Sequence, residues 1–124
     1  MVENCKTVLL VDDEEIVVNL GVLMLKRLGF QALQALSVAE AVEVYKHNTQ
    51  NVELVITDLV MPDGGGLALC RQLRTLNPNV KVIVISGYDP SMQMDELSEL
   101  GCNNFIQKPF TINQLSSKIN EVLN

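Results

Sequence analysis

The stretch VLLVDDEE, Val8–Glu15, sets four apolar residues against four consecutive acids. Neighbouring carboxylates at the mouth of an apolar core repel one another and lose hydration, so leaving them unpaired is costly. The apolar half reads as a buried strand, and further runs of strand length follow it along the chain. The candidates are 7–12 (TVLLVD), 30–35 (FQALQA), 52–57 (VELVIT), 80–85 (VKVIVI) and 103–106 (NNFI). VKVIVI is apolar on both faces, as a strand covered by helices on both sides should be, whereas NNFI is a much weaker signal.

Helix signals fill the gaps. Ser37 with Glu40 and Thr111 with Gln114 match the capping box, in which a hydroxyl and a side chain three residues later satisfy orphan backbone donors. One-sided apolar faces follow each box: Val38, Ala41, Val42 and Tyr45, then Ile112, Leu115, Ile119 and Val122. Pro90 behind Asp89 reads as a first-turn proline, Gly29 and Gly101 fall where helices should stop, and Asn77-Pro78 closes the third helix. Strand and helix alternating five times predict an α/β domain of flavodoxin-like, doubly wound (βα)5 type. Its five-stranded parallel sheet should take the order 2-1-3-4-5, with ligands at the carboxyl ends of the strands beside the reversal.

A length of 124 residues suits a single domain over 1–124 with its own core. The hydrophobic fraction of 48% is globular, and no run approaches the roughly 18 apolar residues of a membrane span. With no signal-peptide pattern at the start, a cytoplasmic protein without membrane attachment is the expectation. A net charge of -6 argues against nucleic acid as a direct partner and favours a cation or a basic protein surface. Cys5, Cys70 and Cys102 form no C-x-x-C pair, so they read as reduced and structural, and His47 is the only histidine.

The polar residues at the strand ends carry the chemistry. Strand 1 ends in Asp12 and Asp13, strand 3 in Asp58, strand 4 in Ser86, and Lys108 follows strand 5. Carboxylates suit a hard cation such as magnesium, which would offset their repulsion, while a hydroxyl and an ammonium suit an anion. A cation and an oxyanion held side by side define phosphoryl-transfer chemistry. Glu14 and Glu15 read differently, as surface acids favoured by the positive end of the following helix. Gly64, Gly65 and Gly66 lack the sequence context of a phosphate cradle and read as loop flexibility.

Taken in order, LLVDDEE, LVITDLVMPDGGGL, VIVISGY and NNFIQKPF closely resemble the receiver domains of two-component response regulators over essentially the whole chain. The resemblance implies that Asp58 is the phospho-acceptor. It implies that Asp13 is a direct magnesium ligand, that Asp12 contributes through water, and that the Val60 carbonyl completes the set, with manganese as an alternative ion. By the same resemblance Ser86 donates to the phosphoryl group, Lys108 is its counter-ion, and Lys108-Pro109 is cis. Ser86 and Phe105 would form the switch that reshapes the face of helix 4, strand 5 and helix 5, although Phe105 taken alone would read as a core aromatic. The implied partner is a histidine kinase or a histidine phosphotransfer protein, and the domain would act as a monomer or weak dimer.

Two other functions fit parts of this pattern. A haloacid dehalogenase-type phosphatase also uses a strand-end Asp, but its acid/base Asp two residues on would be Val60 here. A pseudo-receiver would lack one of Asp13, Asp58, Ser86 or Lys108, and all are present. The expectation is therefore a switch rather than a turnover enzyme. Because the sequence stops at the end of the fifth helix, it reads as a free-standing receiver or as one from a larger protein. SGY, QKPF and VMPDGGG lean toward receivers carried at the C-terminal end of hybrid histidine kinases.

Overall fold

The computed structural model describes residues 6–87 and 91–124, with only the backbone of 91–94. The Asp89-Pro90 helix start and the side chains of Cys5, Met92 and Met94 lie outside the described residues. Five strands alternate with five helices: β1 (Thr7–Val11), α1 (Glu15–Arg27), β2 (Gln31–Ala35), α2 (Val38–Lys46), β3 (Val52–Asp58), α3 (Gly65–Leu76), β4 (Val82–Ser86), α4 (Ser91–Glu99), β5 (Asn104–Gln107) and α5 (Ile112–Leu123). The strands form one parallel sheet in the order β2-β1-β3-β4-β5, as the alternation predicts.

The pleat explains the unbroken apolar runs, because alternate residues of one strand feed opposite layers. Leu9, Val11, Val55, Val82 and Val84 pack with Tyr45 of α2, Leu69 and Leu73 of α3 and Leu97 of α4. Val8, Leu10, Leu54, Ile56, Ile83 and Ile85 pack on the other face with Leu25 of α1 and Leu115 and Ile119 of α5. Each fully buried aliphatic side chain contributes about 1.5–3 kcal/mol, so these two layers supply most of the drive to fold.

Capping fixes where the helices begin. Thr111 and Gln114 close the reciprocal box on α5, with Gln114 N–H donating to Thr111 Oγ1 at 3.1 Å and Thr111 N–H to Gln114 Oε1 at 2.8 Å. The α2 box is shifted by one residue: Glu40 N–H donates to Ser37 Oγ, but Glu40 Oε1 accepts from Leu36 N–H rather than from Ser37. Asp63 explains how the remaining α2 donors are met. Its Oδ2 accepts from Val38 N–H at 2.8 Å and Ala39 N–H at 3.4 Å, tying the β3–α3 loop to the start of α2.

That loop corrects the flexible reading of the glycines. Gly64 and Gly65 both have positive φ, of 115° and 66°, and Gly65 lies buried against the backbone that follows β3. A Cβ on Gly65 would sit 2.0 Å from the Leu59 carbonyl oxygen. Gly66 N–H donates to the same oxygen at 3.0 Å. The glycines thus permit a close backbone approach that folds the loop tightly onto the end of β3.

Candidate functional site

The sheet order brings the ends of β1 and β3 side by side, with Val11 paired to Thr57. Asp12, Asp13 and Asp58 each offer a carboxylate oxygen within 4.8 Å of the other two. Asp12 is 2% exposed and Asp58 7%, while Asp13 faces solvent. Lys108 arrives from the far side of the sheet. Its N–H donates to the Ser86 carbonyl at 2.8 Å, and its Nζ stands 3.2 Å from Asp12 Oδ2 and 3.4 Å from Asp58 Oδ2. Leu59 N–H donates to the Ile85 carbonyl at 2.8 Å, so backbone bonds on both sides of β4 hold Asp58 and Lys108 in place. The Lys108-Pro109 peptide is cis, as the resemblance implies.

Asp12 is occupied on both oxygens, since Oδ1 accepts from Glu14 N–H at 2.9 Å and Oδ2 from Lys108. Asp13 is the exposed member and the one best placed to exchange ligands with solvent. Burial pushes the Asp58 carboxyl above the usual carboxylate range and the Asp12 charge adds to this; Lys108 and the Leu59 backbone oppose it without cancelling it. Burial works to lower Lys108, but the charges of Asp58 and Asp12 and the hydrogen bonds to them outweigh it and hold the ammonium above its ordinary value. One lysine therefore balances two buried acids, leaving the cluster with an excess of negative charge.

An open cleft of about 320 Å³ lies over this cluster, lined by Asp13, Glu14, Asp58, Val60, Gly87 and Lys108. Ser86 is buried beside it, immediately before Gly87. Val60 is half-exposed on the rim. Phe105 stands apart in β5, partly buried, where it packs on the α3–α4 layer and lines a groove along α5. The structure thus gathers Asp12, Asp13, Asp58, Val60 and Lys108 at one rim, and places Phe105 one strand away.

Glu14 was missed by the sequence reading. It occupies the N-cap position of α1 in extended geometry without a side-chain cap bond, and its carboxylate reaches to 4.0 Å from Lys108, so it belongs to the cleft wall as well as to the helix start. The only sequence signal was its adjacency to Asp13. Glu15 is the first residue of α1 and exposed, as expected.

A doubly wound parallel domain with an acidic cleft and a lysine at its strand ends is an α/β domain whose polar groups gather where such sheets bind ligands. Residues 8–120 match the response regulator receiver domain, and the chain belongs to that family. It is 37% identical over 117 residues to the sensor kinase CckA of Brucella abortus, covering 94% of this chain and 12% of that protein. It is 33% identical to the autoinducer 1 sensor kinase/phosphatase LuxN of Vibrio campbellii, over 95% of this chain and 14% of LuxN. The chain therefore spans only a small part of these relatives.

Among solved structures, a receiver domain protein from Clostridium thermocellum superposes with a TM-score of 0.90 at 27% identity, covering 96% of this chain and 94% of that one. CheY in a CheX–CheY–BeF3–magnesium complex from Borrelia burgdorferi gives 0.89 at 26%, covering 96% and 90%. This is a receiver domain of two-component signalling. Among the described residues no helix is long and apolar enough to cross a membrane.

Proposed function

We propose that residues 1–124 act as a phospho-acceptor switch, in which Asp58 takes a phosphoryl group from a phosphohistidine on a partner protein. The observation that carries this reading is the pairing of three convergent carboxylates with a single lysine that touches two of them. The donor set suits magnesium or manganese: hard oxygen ligands, net negative charge and an exposed carboxylate for solvent exchange. Asp13, Asp58 and the Val60 carbonyl would hold the ion directly, with Asp12 acting through water. When bound, it would neutralise charge on the phosphoryl oxygens.

The Asp58 carboxylate attacks phosphorus as the P–N bond to the histidine breaks, leaving an aspartyl phosphate. Lys108, already beside Asp58, turns its ammonium to the phosphoryl oxygens, and the Ser86 hydroxyl donates to them. The link between Ser86 and the β4–α4 connection then carries the change toward Phe105 and the α4–β5–α5 face, shifting a two-state equilibrium. Attack of water at the same phosphorus resets the domain. The cleft has no acid two residues after Asp58, which favours a switch over a turnover phosphatase.

The partner class is a histidine kinase or histidine phosphotransfer protein, and the kinship with CckA and LuxN favours a receiver from a hybrid kinase working on the cytoplasmic side. The test is incubation with magnesium and acetyl phosphate, followed by intact mass. The expected result is an alkali-labile gain of one phosphoryl group that Asp58→Asn abolishes. A gain that survives Asp58→Asn would overturn the assignment.

A further inference from the structure

On the face of the sheet served by α3 and α4, away from the acidic cleft, Cys70 and Cys102 meet. They are 32 residues apart in sequence, both are fully buried, and their sulfurs lie 2.9 Å from each other. Cys70 belongs to α3, and Cys102 to the segment between α4 and β5. A disulfide has an S–S distance of about 2.05 Å, so closure asks the two sulfurs to approach by about 0.9 Å.

Arg74, one turn of α3 beyond Cys70, fixes the surroundings. Its guanidinium donates to the carbonyls of Leu100, Gly101, Pro78 and Val80, and Nη2 stands 3.9 Å from Cys102 Sγ. These bonds lock the segment carrying Cys102 against α3. They also hold a cation near both sulfurs, in direct contact with Cys102. The pairing of the two sulfurs lowers the Cys102 thiol below its ordinary value against the effect of burial, and Arg74 reinforces this; Cys70 is pushed up by the same pairing and by burial. Cys102, the sulfur that the guanidinium touches, is thus the one favoured as a thiolate.

We propose that Cys70 and Cys102 are an oxidation site that closes to an intrachain disulfide under peroxide, stapling α3 to the α4–β5 segment. Cys102 thiolate attacks one oxygen of hydrogen peroxide, the O–O bond breaks, and the departing hydroxide takes a proton and leaves as water. The resulting Cys102 sulfenic acid is attacked at sulfur by Cys70. The S–O bond breaks, and the hydroxide released takes the Cys70 proton as a second water. Two thiols and one peroxide become one disulfide and two waters. Both sulfurs are buried, so the first step proceeds through local opening of the segment 101–103 from α3, and closure follows when the segment repacks and returns the oxidised Cys102 to Cys70.

The test uses the Cys5→Ser chain, which leaves only this pair of thiols. After exposure to millimolar hydrogen peroxide and quenching with an alkylating agent, intact mass and peptide mapping are read. The expected result is loss of two hydrogens from the monomer, a cross-linked peptide joining Cys70 to Cys102, and reversal by dithiothreitol. Cys102→Ala in the same background removes the cross-link. The proposal is overturned if both thiols survive hours of exposure, if the cysteines gain oxygen separately without a cross-link, or if disulfide forms only between molecules.

Discussion

Lys108→Met keeps the aliphatic stem and deletes the ammonium that stands 3.2 Å from Asp12 and 3.4 Å from Asp58. At an effective dielectric of about 20, each of these contacts is worth roughly 5 kcal/mol before desolvation is counted. Removing one partner of a buried pair costs about 3–5 kcal/mol net. The Lys108 side chain retains 24% of its exposure. Solvent therefore screens part of the loss, and a deficit of about 2–3 kcal/mol is expected near neutral pH without magnesium.

The deficit should depend on pH in a defined direction. Asp58 already has a raised folded pKa, and losing Lys108 raises it further. An acid with a raised folded pKa contributes its stability below its unfolded value and loses it as pH rises through the folded one. The variant therefore falls away from the parent as pH climbs from about 4 toward neutrality. Urea denaturation followed by far-UV circular dichroism, at about pH 5 and about pH 7.5, reads both effects. Magnesium should stabilise the variant more than the parent. Equal stability at the higher pH, or a deficit of the same size at both, would refute the view that Lys108 neutralises this cluster.

Three further outcomes are expected. Asp13→Asn should weaken magnesium binding about tenfold or more in calorimetric titration, because it removes the one exposed carboxylate of the set. Gly65→Ala should cost at least about 2–3 kcal/mol in denaturation experiments, since its Cβ meets the Leu59 carbonyl in a positive-φ conformation. Closing the Cys70–Cys102 bond should raise Tm by roughly 5–10 °C in a non-reducing melt and return to the parent value with dithiothreitol, by restricting the unfolded chain.

The alternation of strands and helices was legible because each run carried its own period and cap, and the core layers follow from those runs. Boundaries were less so. The fourth strand begins at Val82 rather than Val80, because Val80 N–H turns back to the Asn77 carbonyl and its own carbonyl is taken by Arg74. Asp58 extends the third strand by one residue, as its ladder pairing with Ile85 of β4 continues. In the α2 box, Asp63 comes from a distant loop, and no local spacing announces a cap supplied from 25 residues away.

By itself the sequence determined the order of elements, the sheet type and which strand ends carry acids, since these follow from local periodicity and from the rule that parallel strands bring their carboxyl ends to one rim. The tertiary structure alone decided that Lys108 lies between Asp12 and Asp58, that Glu14 joins the cleft, that Gly65 packs on Leu59 and that the two core cysteines touch. Those are separations between residues far apart in the chain. They depend on how crossovers seat helices on the sheet, and ångström differences there settle which charge is neutralised and which sulfur has a partner.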